Sequence, residues 1–159
     1  MKNSSSPPQS QTPADLPSLR QLADFRYQLR KFLRFSERAA RSNGLTPQQH
    51  QLLLGIAGFT GRGWATITEL ADFLQERHNA VVGLVQRAER HRLVHKDHST
   101  SDRRVVRVYL LPKGEQLLAR LTELHQREVR RFQLGVLNPS GPDPVRAEKH
   151  SSKRSHKEP

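Results

Sequence analysis

The sequence predicts a mainly α protein with a small β-hairpin, and three observations carry that prediction. Leu22, Phe25, Leu29 and Phe32 recur at steps of three and four in 18–42, and a second long helical set fills 112–134. Between them, two shorter helical stretches each open with a capping box, Thr46 with Gln49 and Thr66 with Glu69. Behind them, the run from Arg103 to Leu110 alternates and is rich in Val and Tyr, which is strand character after a turn cluster at 98–102.

Taken in order, the first helix covers 18–42 and ends at Asn43-Gly44, a pair that tolerates left-handed φ. Its remaining faces carry seven basic side chains. Pro47 at the first helical position supports the second helix, whose buried side is Leu52, Leu53, Ile56, Ala57 and Phe59, and Gly61 and Gly63 stop it. Trp64-Ala65 reads as a very short strand. A short third helix buries Ile67, Leu70, Ala71 and Leu74, and Gln75-Glu76-Arg77 turns the chain. The fourth helix, 78–91, buries Val81, Leu84, Val85 and Ala88. It turns His78, Asn79, Val82, Gly83, Gln86, Arg87 and Arg90 to other sides. Leu93 to Lys96 pairs with the 103–110 strand. Pro112-Lys113-Gly114 then leads into the last helix, with Leu117, Leu118, Leu121, Leu124, Val129 and Phe132 as its apolar positions. Two short helices joined by a tight turn and followed by a hairpin make a winged helix-turn-helix, here flanked by long helices.

The chain has 159 residues, which suits one domain. The ends, 1–17 and 138–159, are rich in Ser, Pro, Gln and scattered charge, and read as disordered tails, the second of them basic. The net charge is +12, and 18–137 alone keeps 21 basic against 11 acidic residues, or +10. The excess therefore sits on the part expected to fold, and it points to a polyanionic partner.

Cysteine is absent, which excludes disulfides, thiolate zinc sites, iron–sulfur clusters and thiol redox sensing. Met1 is the only methionine. There is no stretch of about 18 apolar residues and no apolar signal segment, so the expected location is the cytoplasm, with no membrane partner. A Gly-rich phosphate loop, a Ser-His-Asp order and convincingly paired carboxylates are all missing, so neither an enzyme nor a cofactor is expected. His91, His95 and His98 cluster without the spacing of a metal site and read as structural or solvated.

A helix that enters the major groove needs forked or short polar side chains at its start and an anchored back. The 78–91 helix has both. Arg77, His78 and Asn79 stand where it would enter. Asn suits adenine and Arg suits guanine, and the free N–H groups of the first turn suit a phosphate. Arg87, two turns on, suits either. Arg103 and Arg104 place two guanidiniums at the hairpin tip, a shape for the minor groove, and Asp102 orients one of them or caps the turn. Each feature also reads as an ordinary solvated face. What favours nucleic acid is their order on one plan in a segment carrying +10. A sequence-indifferent packaging protein is the main alternative, and a protein-binding adaptor is a second.

The quoted residues also carry a resemblance. The runs Thr66-Ile-Thr-Glu-Leu-Ala-Asp-Phe-Leu74, Arg77-His-Asn-Ala-Val-Val-Gly-Leu-Val-Gln-Arg87, Arg90-His-Arg-Leu-Val94, Ser101-Asp-Arg-Arg104 and Leu110-Leu-Pro-Lys-Gly114 resemble the multiple-antibiotic-resistance regulator (MarR) family over roughly 20–132. The resemblance implies a homodimeric transcriptional regulator, with repression as the expected output. Two winged lobes would grip half-sites of a pseudo-palindrome in double-stranded DNA. Helices 18–42 and 112–134 would form the dimer, and a small aromatic or phenolic effector would sit between the dimer and DNA-binding parts. By position, Arg77, His78, Asn79, Gly83, Gln86 and Arg87 fall on the recognition helix, and Asp102, Arg103 and Arg104 on the wing. The expected effector pocket lies under the first helix near Phe25, Leu29, Leu53, Ala57 and Trp64.

The chain also departs from the family pattern. Arg77 stands in place of a Ser cap, and Gly83 where many members have Arg or Lys. Arg92 stands for Gly and Leu111 for Thr, and the family's final helix is missing or reduced to the tail after Asn138.

Overall fold

The computed structural model describes residues 16–59, 61–98 and 105–137. Eight elements follow one another: α1 (Leu16–Ser42), α2 (Pro47–Gly58), β1 (Trp64–Thr66), α3 (Ile67–Leu74), α4 (His78–Arg90), β2 (Val94–His98), β3 (Val106–Leu110) and α5 (Pro112–Leu137). Each predicted helix is present. The first starts two residues before the expected boundary and the last runs three residues past it, so 16–17 belong to α1 rather than to a tail. The rest of both expected tails lies outside the described residues.

Local chemistry sets the helix ends. Thr46 and Thr66 each accept an N–H from the third helical residue through Oγ1 (3.1 and 3.2 Å). Gln49 and Glu69 reach back to the cap N–H in return (2.9 and 2.8 Å). Such a cap is worth about 0.5–2 kcal/mol. The helices α1, α3 and α4 all end in a residue with positive φ, at Gly44, Gln75 and Arg92. At α4 the Arg92 N–H bonds to Glu89 O (2.9 Å) and the Leu93 N–H to Ala88 O (3.0 Å), a Schellman closure. Arg92 adopts φ +58°, where its Cβ is strained. The Arg92→Gly variant is therefore expected to gain about 1 kcal/mol, read as a raised urea midpoint. A lowered midpoint would show that the Arg side chain offsets the strain.

The sheet has three strands in the order β1-β3-β2, all antiparallel. The hairpin register runs from Val94 opposite Leu110 to His98 opposite Val106. Ala65, Val94 and Val108 lie on its buried face and join the core formed by Leu52, Leu53, Ile56, Leu70 and Val85. Period-two alternation explains the rest: Trp64, His95, Arg107 and Tyr109 share the other face. Ala57, expected in the core, is exposed instead.

By internal contacts the chain forms two compact units. One is Lys31–Arg131 and holds the core above. The other comprises the chain up to Arg30 and from Phe132 onward. In that second unit the Phe25 and Phe132 rings meet at 6.3 Å. Leu22 and Phe25 remain 56% and 41% exposed. The apolar stripe on α1 is real, and among the described residues Leu22 and Phe25 stay partly uncovered.

Candidate nucleic-acid interface

The turn between α3 and α4 places the candidate residues. Val81, Leu84, Val85 and Ala88 are buried, as their spacing predicts, so α4 is anchored along one side. Opposite them, Asn79, Gly83, Gln86 and Arg90 follow at steps of four, three and four, which is one stripe of a helix. Asn79, Gln86, Arg87 and Arg90 are exposed and Gly83 is half-buried. Arg90 is the residue that the site assignment from sequence left out, although the same helical spacing points to it. Arg77 is the N-cap in extended conformation and makes no side-chain cap bond. The first N–H groups of α4 are thus not used by a cap, and exposed His78 stands beside them.

A concavity of about 420 Å³ lies between the start of α2 and α4, and Asn79, Gly83 and Arg87 share its lining with Gln48 and Gln51. A Cβ on Gly83 would meet only the Arg87 Nη1, at 3.3 Å, the far end of a flexible side chain that can give way.

The base of the wing is held from three sides. Glu89 on α4 accepts the Lys96 N–H (3.2 Å) and pairs with its Nζ (3.0 Å). Burial pushes the Glu89 carboxyl up, but the Lys96 hydrogen bonds and charge, with His95, outweigh it and hold the carboxyl below its usual value. Lys113 Nζ donates to His91 O at the end of α4 (3.1 Å). On β1, Trp64 has the guanidiniums of Arg62 and Arg107 each at 4.4 Å from its ring, and the cation–π contact of Arg107 ties β1 to β3. Arg62 also pairs with Glu69 (2.9 Å). Burial raises the Glu69 carboxyl, yet the bonds from Thr66 and Arg62 bring it below normal. Asp102, Arg103 and Arg104 lie outside the described residues.

The residues named for the expected effector pocket have different surroundings. Leu53 is fully buried in the core, Ala57 is exposed and Trp64 is stacked against two arginines. Phe25 and Leu29 belong to the other compact unit. Within 31–131 a different cavity, of about 660 Å³, opens among α1, α2 and α5. Phe32, Leu33, Leu54 and Val129 line it, together with His50 and His125. The sequence around His50, Gln48-Gln49-His50-Gln51, is polar and carried no signal for it.

Among the described residues no helix is long and apolar enough to cross a membrane. Residues 43–105 match the MarR family model. An uncharacterized HTH-type transcriptional regulator of Bacillus subtilis, YsmB, is 30% identical over 86 residues, or 54% of this chain and 57% of its own length. AbsC, a MarR family transcriptional regulator from Streptomyces coelicolor, superposes with a TM-score of 0.62 at 19% identity, over 86% of this chain and 87% of its own. A MepR variant of S. aureus bound to an oligodeoxyribonucleotide gives 0.58 at 17% identity, over 80% of this chain and 88% of its own. These last two likenesses show the fold. The chain is a winged-helix protein of the MarR fold, and its residues 43–105 match the model of the MarR family.

Proposed function

We propose that the protein is a transcriptional regulator that binds double-stranded DNA as a homodimer on a pseudo-palindromic site, and that it acts as a repressor. The observation that carries this reading is the exposed stripe of α4 running through Asn79, Gln86 and Arg90, backed by a fully packed opposite side. The stripe enters the major groove. Arg77, His78, Asn79, Gly83, Gln86 and Arg87 meet bases and phosphates, and Asp102, Arg103 and Arg104 take the wing to the minor groove. The bound oligonucleotide of the MepR structure supports DNA as the partner. The uncovered apolar positions of α1 and α5, such as Leu22 and Leu134, support pairing with a second copy. The 660 Å³ cavity supports a small aromatic effector.

Fluorescence titration tests the reading. The protein is expected to prefer its own site over random duplex by roughly 10³ or more. The double variant Arg103→Ala/Arg104→Ala is expected to weaken both complexes and lower the salt slope by about one to two charges. Equal affinity for every duplex would favour a sequence-indifferent packaging protein instead.

A further inference from the structure

The helix α4 carries a glycine, Gly83, in the middle of its 13 residues. Glycine in a helix interior costs stability relative to alanine, so the position asks for a reason. At other glycines of the chain the reason is internal. A Cβ at Gly55 would fall on the Phe73 ring, and one at Gly114 on the Leu93 carbonyl oxygen. At Gly83 no neighbouring element fills the space. The atom found there is Nη1 of Arg87, from the same helix, 3.3 Å from where a Cβ would sit.

The Arg87 side chain therefore runs back along α4, across the glycine, toward the helix start. Asn79, Gly83 and Arg87 follow at steps of four, on one side of the helix. No carboxylate three or four residues from Arg87 holds it elsewhere, because those positions are Leu84, Arg90, Gly83 and His91. Arg90 repels the guanidinium from the C-terminal side. Glu76, on the lining of the same concavity, attracts it from the N-terminal side. A side chain at position 83 would stand in its path.

Asn79 and Arg87 are eight residues apart, or about 12 Å along the helix at about 1.5 Å per residue. Pointing straight outward, the two side chains would meet base pairs about three to four steps apart, at about 3.4 Å per step. With the guanidinium at the level of Gly83, the separation falls to about one helical turn, which is about one to two base steps. Guanine offers O6 and N7 to a guanidinium, and adenine offers N6 and N7 to the Asn amide. We propose that Gly83 is a specificity-determining position that acts through Arg87. Its missing side chain seats the guanidinium within reach of the base pairs next to the one that Asn79 reads. An adenine and a guanine at most about two base steps apart are thereby read together. The inference rests on the reading that α4 enters the major groove.

Selection from a random duplex pool, run with the unaltered protein and with Arg87→Ala, tests it first. The unaltered consensus is expected to hold, in each half-site, a guanine within about two steps of an adenine. Arg87→Ala is expected to lose the preference for that guanine and keep the adenine. Competition between the selected duplex and one with the guanine replaced then measures the preference in Gly83→Ala and Gly83→Leu. The alanine is expected to reduce it, and the leucine to reduce it about tenfold or more. Urea unfolding supplies the contrast: Gly83→Ala is expected to be the more stable protein and the poorer discriminator, a combination that a merely structural glycine does not give. Should Gly83→Leu misfold, the two Gly83→Ala measurements and the spacing in the unaltered consensus decide. A guanine preference that survives both Gly83 substitutions overturns the inference and leaves DNA binding standing. So does a consensus that Arg87→Ala leaves unchanged, or a guanine lost at about three or more steps from the adenine. A pool that yields no consensus with the unaltered protein removes the groove reading, and the inference with it.

Discussion

Replacing Gly114 by Ala is expected to lower stability by about 3 kcal/mol, the largest loss among the described glycines. A Cβ at that position would fall on the carbonyl oxygen of Leu93, closer than real Cβ atoms come. The clash is with backbone, so no side-chain rotation relieves it. The same oxygen accepts the Leu111 N–H (2.9 Å), the bond that joins the start of β2 to the start of α5. Relieving the clash would break that bond and tilt the wing's base. Urea unfolding measures the loss, with Gly83→Ala as the contrast. The same methyl group there meets only the mobile end of Arg87 and is expected to gain about 0.5–1 kcal/mol from helix propensity. A loss below about 0.5 kcal/mol for Gly114→Ala would mean that the junction is slack.

Asn79→Ala and Arg87→Ala are each expected to cost about 1–3 kcal/mol at the cognate site. Together they are expected to weaken specific binding on the order of a hundred- to ten-thousandfold, while random duplex loses far less. Both side chains are exposed, and α4 is anchored by residues facing the other way, so the fold is expected to survive. Fluorescence anisotropy on both duplexes measures the split. Equal losses on cognate and random DNA would remove base reading from these positions.

The parts of the fold that sequence made visible are those set by local chemistry. Both capping boxes form as their residues predict, because Thr and Gln or Glu three apart satisfy each other within one turn. The buried side of α4 follows from helical spacing, and the same spacing places the outward stripe. Arg92 in place of a glycine marks a helix end, and the chain turns there with positive φ.

What escaped the sequence depends on residues far apart in the chain. His50 and His125 meet only because α2 and α5 pack together, and a void between helices leaves no periodic trace. The pocket expected near Phe25, Leu29, Leu53, Ala57 and Trp64 followed the family resemblance and apolar character. That signal cannot separate a core residue such as Leu53 from a cavity wall. The stacking of Arg107 on Trp64 arises from pairing β1 with β3, a contact that a three-residue strand does not announce.

Selection of bound sequences from a random pool of DNA duplexes tests the central claim most directly. Two copies of the α4 stripe on a symmetric pair predict a pseudo-palindromic consensus with half-site centres about one helical turn apart. A pool that yields no consensus, with every duplex retained alike, would contradict it.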